Sequence, residues 1–562
     1  MPIDFLGVDI PIFYSDPGGG PQLPPAPDRT PNKPPVISSA PLPSGSGARA
    51  LGVAGAFTAV ADDATAASWN PAGLTQLERP ELSVVYRLSH ERDIRGSNDS
   101  DYRVGGDEFD ANAINYLSAV MPFRLFDRNT VFSLNYQEVF DFSQRYHAHS
   151  SDSGSSEPET TTMTDHDFIP INCDPATYRQ IDLSHDTDLL FTPTLSIRRT
   201  FTQTESLNYS SLTDLEFEQE GAVQAITPAF AVEVTPKFSL GAALNVYQEG
   251  LLNTPDIRSR TRARYAGTLN RTILTSINSI DYDGTVDVTG TYNGTDITGK
   301  LDDLPVSWAD HDPDDPDSTD LTRYRYTGIY DADDRISNFH GVNATLGSLL
   351  TVSEELTLGF CFDLPWKARA RQTKTVRTEF ELFDENGTSL GKTTGTSHES
   401  KKVEFDFPLY WAAGAVWRWN NRLSTSFDVS QTWWSDYSYK AEGESRKNPI
   451  DGSEYGDHSI DDCWSLRTGT EYLWVLKNTE IPLRAGLSWE QRPAVGSPDE
   501  YWGISLGTGI SIGKGPNKVI IDVAYIYTWA NEVMGSFGPS KDGDFDSDVQ
   551  RHDIYVSCIY HF

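Results

Sequence analysis

At 562 residues and a formal net charge of −36, the chain is long and strongly acidic. That balance argues against nucleic-acid binding, which relies on Lys and Arg to neutralise phosphates. Aromatics are plentiful (25 Tyr, 26 Phe, 13 Trp), but no run of about 18 apolar residues exists. Membrane-spanning helices are therefore excluded, whereas a transmembrane barrel is not, because its strands alternate faces and average hydropathy barely registers them.

Residues 1–43 carry Gly18-Gly19-Gly20 and many prolines and show neither the basic nor the apolar region of a secretory leader. They read as a flexible Pro/Gly-rich arm. Residues 44–80 are different. Ser44 to Leu74 runs SGSGARALGVAGAFTAVADDATAASWNPAGL, rich in glycine and alanine, with bulk nearly absent apart from Leu51, Phe57 and Trp69. Its apolar part stops at Asp62-Asp63, too early to cross a bilayer as a helix. It reads as a small-residue plug for a barrel formed by the rest of the chain.

From residue 81 to 562 the chain alternates in segments at 81–88, 113–123, 130–141, 222–234, 237–248, 340–352, 355–384, 402–419, 422–434, 464–475, 479–490, 501–512, 517–529 and 552–562. That is a 14-stranded antiparallel all-β transmembrane barrel in which short turns and longer loops alternate, as in outer-membrane barrels. The largest external loops are 142–221 and 249–339, both polar. Leu189 to Phe201 has strand character but is counted inside the first of these, because including it breaks the even number.

Within the segments one face is apolar and the other polar or small. Residues 502–512 place Trp502, Ile504, Leu506, Ile510 and Ile512 on one face and Gly503, Ser505, Gly507, Gly509 and Ser511 on the other. Trp417, Trp419, Trp433, Trp434 and Trp489 fall at strand ends, where interfacial girdles lie. The inward set includes Asp363, Arg418, Asp428, Arg467, Glu471, Arg484 and Asp522. So many charges do not fit a packed core without partners, since each would cost several kcal/mol. A wet lumen, or a plug that supplies partners, removes the objection. The last segment turns Ile554, Val556, Cys558, Tyr560 and Phe562 outward, and Tyr560 with terminal Phe562 forms the signal that barrel-assembly machinery reads during insertion.

No enzyme signature is present: there is no Gly-x-Ser-x-Gly, His-Glu-x-x-His or P-loop. His147 and His149 near Asp152 lie in a loop and are given no catalytic role. No cofactor or metal is expected. Asp302 to Asp320 and Asp542 to Asp548 read as solvated acidic loops, with divalent-cation binding as the alternative reading of each; the latter lacks the glycine and distal glutamate of an EF-hand. Cys173 and Cys463 fall in loops where an oxidising compartment would allow pairing.

Gly47-x-Arg49-Ala50, Gly55-Ala56, Ala59-Val60-Ala61-Asp62-Asp63-Ala64 and Asn70-Pro71-Ala72 together resemble the N-terminal hatch of the FadL/TodX family of outer-membrane transporters. The resemblance implies a 14-stranded barrel plugged by the hatch at its periplasmic end. It implies passive uptake of long-chain fatty acids or other hydrophobic compounds in a Gram-negative outer membrane, with binding in an apolar pocket and sideways exit through the wall. The expected partners are outer-membrane lipid and a hydrophobic small-molecule ligand, with a protein partner at the loops or arm as a further expectation. Three features depart from the family: the arm, the two long loops, and inward faces that offer little beyond Tyr410, Ile520, Ile526 and Tyr555 for an alkyl pocket. Ligand contacts cannot be assigned by motif. A related hatch also occurs in barrels that serve secretion machineries, so a structural or protein-binding barrel is the second reading. A soluble β-rich extracellular protein is the third. Within the hatch, Arg49 and Asp62 or Asp63 are expected either to pair with lumen charges such as Glu471 and Arg484 or to cap a short local helix.

Overall fold

The structure, a computed structural model, describes residues 3–5, 8–10, 46–96, 102–105, 107–155, 158–170, 187–253, 256–292, 295–304, 318–450, 452–457, 460–476, 479–494, 497–514, 517–535 and 545–562. Fourteen strands close into one antiparallel ring. In chain order they are β1 (Glu81–Gly96), β2 (Asp107–Leu125), β3 (Arg128–Asp141), β4 (Ala222–Thr235), β5 (Phe238–Gln248), β6 (Ser318–Thr351) and β7 (Leu356–Asp363). The second half comprises β8 (Tyr410–Asn420), β9 (Leu423–Thr432), β10 (Cys463–Val475), β11 (Glu480–Arg492), β12 (Asp499–Lys514), β13 (Asn517–Gly535) and β14 (Phe545–His561). The ring closes where β14 pairs β1, from His561 opposite Glu81 to Asp546 opposite Gly96. Closure matters because an open edge in lipid would leave backbone groups unpaired.

Alternation decides which way each face points. On β12, Trp502, Ile504, Leu506, Ile510 and Ile512 are exposed on the outside, while Ser505 is fully buried within. On β14, Ile554, Val556, Tyr560 and Phe562 point out and Tyr555, Ser557 and Ile559 point in. The outer band is apolar, as contact with acyl chains requires. Trp489, Trp502 and Trp529 stand directly opposite one another on three adjacent strands towards the long-loop end. Trp417 and Trp419 are exposed near the short-turn end of β8. Trp434 departs from the girdle expectation: it is buried inside the long-loop end. Among the described residues no helix is long and apolar enough to cross a membrane.

Two loop expectations are corrected. Much of 142–221 and 249–339 is strand, including Thr187–Glu220 and Ile257–Tyr292, which pair along their whole length. Leu189 to Phe201 belongs to that extension and not to the ring, so the count of 14 stands. These strands show no apolar alternation because their buried positions include polar residues such as Ser211, Thr213, Gln219 and Ser259. Cross-strand ion pairs line them instead, such as Arg271–Glu205 at 2.7 Å and Arg145–Glu216 at 3.2 Å.

The segments 355–384 and 402–419 are likewise not single strands. Pro365 ends β7, and a separate strand, Trp366–Phe383, rises from it; Pro408 breaks Ser389–Phe407 from β8 in the same way. Proline has no N–H for the ladder, so each strand must be re-aimed there. Of the arm, only the short pair Ile3–Phe5 and Val8–Ile10 lies among the described residues. Cys173, residues 305–317 of the first acidic stretch and residues 542–544 of the second lie outside them.

The outward assignment makes a direct test. Leu487→Arg, on the exposed face of β11, should destabilise the folded barrel by about 2–4 kcal/mol in a denaturant titration in lipid vesicles. Leu487→Phe should leave the midpoint nearly unchanged.

Candidate functional site: the plugged lumen

Residues 46–77 fill the lumen on the short-turn side. They form one helical turn (Ala48–Gly52) and two 3₁₀ turns (Ala66–Ser68 and Pro71–Gln76), joined by irregular backbone. The turns satisfy many of the segment's own N–H groups, but others remain open, and burying those unpaired would cost about 1–3 kcal/mol each. The barrel wall supplies the partners. Asp428 Oδ2 on β9 accepts from the backbone N–H groups of Phe57 and Thr58 at 2.9 and 2.8 Å. The Ser505 hydroxyl on β12 donates to the Gly52 carbonyl at 3.0 Å, and Asn129 Nδ2 on β3 donates to the Thr75 carbonyl at 2.6 Å.

Asn70 explains why the Asn-Pro-Ala signature carries information. Its Oδ1 accepts from Ala72 N–H at 3.1 Å, capping the turn that Pro71 begins. Its Nδ2 donates to the Thr58 carbonyl at 2.8 Å within the hatch and to the Ser348 carbonyl of β6 at 3.0 Å. Position 241 of β5 is held to glycine by the turn that faces it: a Cβ there would lie 2.3 Å from Ala72 N. The same device recurs around the wall. A Cβ on Gly347 would meet Asn70 Oδ1 at 2.1 Å, on Gly359 the Thr58 carbonyl at 2.3 Å, and on Gly469 the Val53 Cβ at 2.4 Å. Glycine is what the wall needs where the plug's backbone comes this close. Within the hatch, Gly47 and Gly55 adopt φ of 99° and 77°, which side chains rarely allow.

The charges form a chain. Arg49 Nε and Nη2 donate to the two oxygens of Glu471 at 3.2 Å each, and Nη1 lies 2.8 Å from Asp62 Oδ1. Glu471 is also 2.6 Å from Arg484 Nε, whose Nη1 lies 2.6 Å from Asp522 Oδ1. Both expectations for these hatch charges therefore contain part of the geometry. Arg49 reaches Glu471, whereas Asp63 stays local, its Oδ1 accepting from the Thr65 N–H and hydroxyl at 2.8 and 2.6 Å. Arg467 pairs with Glu490 at 3.4 Å, and Arg418 donates to the Thr357 hydroxyl at 3.2 Å. Tyr560 and Phe562 stack on the outer face at 5.9 Å, away from the lumen.

On the long-loop side of the hatch lies a cavity of about 60 Å³. Ala67, Ser68 and Trp69 give its floor; Asp363, Asn245, Asn343 and Tyr410 give polar walls; Tyr247, Trp366 and Phe407 give a flat aromatic wall. The rings stack closely, Tyr247 on Trp366 at 3.9 Å and Trp366 on Phe407 at 4.3 Å. Ile520 and Ile526 pack against the hatch core instead, as does Tyr555, so of the four apolar residues read from sequence only Tyr410 lines the cavity. Trp366 and Phe407 were missed because they belong to the two extension strands broken at proline; Pro365 and Pro408 were the available signal. A second buried ionic group was missed too. Arg87 pairs with Glu138 at 3.0 Å and with Asp141 inside β1 and β3. All three residues lie within the segments 81–88 and 130–141 read from sequence, and their opposite charges were the available signal.

Two substitutions test the seating of the hatch. Gly347→Val should expel Asn70 from its place and expose Arg49 to trypsin in the intact barrel, while Gly250→Val, in open space, should not. Glu471→Lys sets a third cation beside Arg49 and Arg484 and should cost about 3–5 kcal/mol, read as a lower unfolding midpoint and as ion leakage in planar bilayers.

Residues 330–550 match the family model described as "Outer membrane protein transport protein (OMPP1/FadL/TodX)". No curated protein matches the chain. Among solved structures, a Pseudomonas aeruginosa FadL homologue is similar at 15% identity and a TM-score of 0.48, covering 92% of this chain and 98% of that one. The P. putida toluene transporter TodX aligns at 12% identity and a TM-score of 0.43, covering 92% and 99%. The Ralstonia pickettii toluene transporter TbuX does so at 13% and 0.42, covering 92% and 98%. Over residues 330–550, then, the chain is similar to the FadL/TodX family of outer-membrane transport proteins.

Proposed function

We propose that the chain is a passive channel for hydrophobic small molecules, such as long-chain fatty acids or hydrocarbons, in the outer membrane of a Gram-negative cell. It acts by binding and passage and catalyses no reaction. The carrying observation is the cavity between the hatch and the aromatic wall of Tyr247, Trp366 and Phe407. Flat rings present apolar area at little entropic cost, and Asp363 and Tyr410 at the edge leave room for one polar end.

In this reading the cavity is closed. A cavity of about 60 Å³ is well below the roughly 150 Å³ that takes up benzene in a protein core. Passage therefore needs the floor at Ala67–Trp69 or the aromatic wall to shift. The sideways exit that the resemblance implies is assigned, in this reading, to the β1–β2 seam. There the register shifts between Val85 and Tyr86, and the buried Asn115 side chain has neither polar atom hydrogen-bonded. Outer-membrane lipid and barrel-assembly machinery at the Tyr560–Phe562 end are the partners of this reading.

Cells producing the protein should take up a radiolabelled fatty acid or aromatic hydrocarbon faster than cells lacking it. Trp366→Ala, which removes the centre of the stack, should change the uptake rate severalfold while the barrel still assembles. Equal uptake with and without the protein, across both compound classes, would contradict the proposal.

A further inference from the structure

Outside the lumen, the extension strands hold a cluster that the transport reading does not use. His147 and His149 lie on the strand Gln144–Ser155, not in a loop, and two-residue spacing on a strand puts both imidazoles on one face. The acid they meet is Asp214, on Thr187–Glu220 directly opposite His149 in the register. His147 Nε2 is 3.1 Å and His149 Nδ1 is 3.3 Å from the same oxygen, Asp214 Oδ1, with the rings 5.4 Å apart. One donor atom from each of the three residues falls within 4.8 Å of the others.

From this arrangement we propose a binding site for a first-row divalent cation, of which zinc is the probe, on the external wall of the barrel. Two imidazoles and one carboxylate select a borderline metal over calcium or magnesium, which take oxygen ligands. Zinc bonds nitrogen and oxygen at about 2.0–2.2 Å, so two ligands at a tetrahedral angle stand roughly 3.3–3.5 Å apart. The observed 3.1 and 3.3 Å need to open by only a few tenths of an ångström. His149 and Asp214 are exposed and His147 is half-buried, so the ion reaches the site from solution and water completes its coordination. Glu216, the next acid on the same strand, is engaged by Arg145 at 3.2 Å and Arg262 at 3.6 Å, which leaves three protein ligands. Bound there, the ion clamps Gln144–Ser155, which continues β3, to Thr187–Glu220, which leads into β4.

The test uses full-length protein in detergent, purified without a histidine tag, stripped with chelator, and titrated calorimetrically with Zn²⁺. One high-affinity ion per chain is expected. His147→Ala, His149→Ala and Asp214→Asn should each weaken it by about tenfold or more, since loss of even an outer-shell partner costs 10–100-fold. His398→Ala should not, and excess Ca²⁺ should not displace the zinc. Co²⁺ should give the intense visible absorption of a low-coordinate nitrogen–oxygen site in the wild type only. Because the three residues sit on the outer wall, their variants should keep the heat-modifiable migration of a folded barrel. Absence of Zn²⁺ binding by the wild type, or equal binding by the His147→Ala/His149→Ala double variant, would reduce the cluster to ordinary histidine–aspartate hydrogen bonds and overturn the proposal.

Discussion

An irregular segment inside a closed barrel has to find partners for backbone groups that its own fold leaves open. Much of this molecule follows from that constraint. The hatch has one helical turn and two 3₁₀ turns, so its exposed N–H and C=O groups must meet side chains of the wall. Asp428, Ser505 and Asn129 meet them from strands on different sides of the ring. Asn70 does the reverse, reaching from the hatch to the Ser348 carbonyl. Such contacts require close approach, and Gly241, Gly347, Gly359 and Gly469 provide it. The buried ions obey the same logic. Arg49, Glu471, Arg484 and Asp522 each have an opposite charge within 3.2 Å, so none is left in the lumen at the full cost of an unpaired charge.

The plug divides the interior into two regions of unlike chemistry. Below, small residues and fixed ion pairs hold the hatch backbone against the wall. Above, aromatic side chains from β5 and from the extension strands beyond Pro365 and Pro408 stack over a small cavity. In the proposed channel the first region is the barrier to water and ions, while the second offers apolar area with a polar margin. The proposed passage of hydrophobic molecules uses both regions in turn.

The ring was legible because lipid imposes a period of two on every strand it touches. Trp502, Ile504 and Leu506 against Gly503, Ser505 and Gly507 show that period plainly, and so does Tyr560 with Phe562 at the end of β14. Where lipid stops, the signal stops. Thr187–Glu220 and Ile257–Tyr292 bury polar residues such as Ser211, Thr213, Gln219 and Ser259, so their faces do not differ in hydropathy and they resemble loops in sequence. Arg49 beside Glu471 could be anticipated from the sign of charge alone. Asp428 holding two hatch N–H groups could not, because its partners are backbone atoms with no signature in sequence. The aromatic wall was hidden for a third reason: Trp366 and Phe407 flank proline breaks, and a reading that carries the strands through those prolines puts them on the wrong elements.

Whether the cavity above the hatch takes up apolar molecules decides between a channel and a structural barrel. Native mass spectrometry of the barrel, extracted in detergent and released in the gas phase, measures that directly. Fatty acids or hydrocarbons should be retained through purification, and lost when Tyr410→Trp fills the cavity. A barrel that is empty in every preparation, or one that instead carries a stoichiometric protein partner, would contradict the channel reading and return the chain to a structural or protein-binding role.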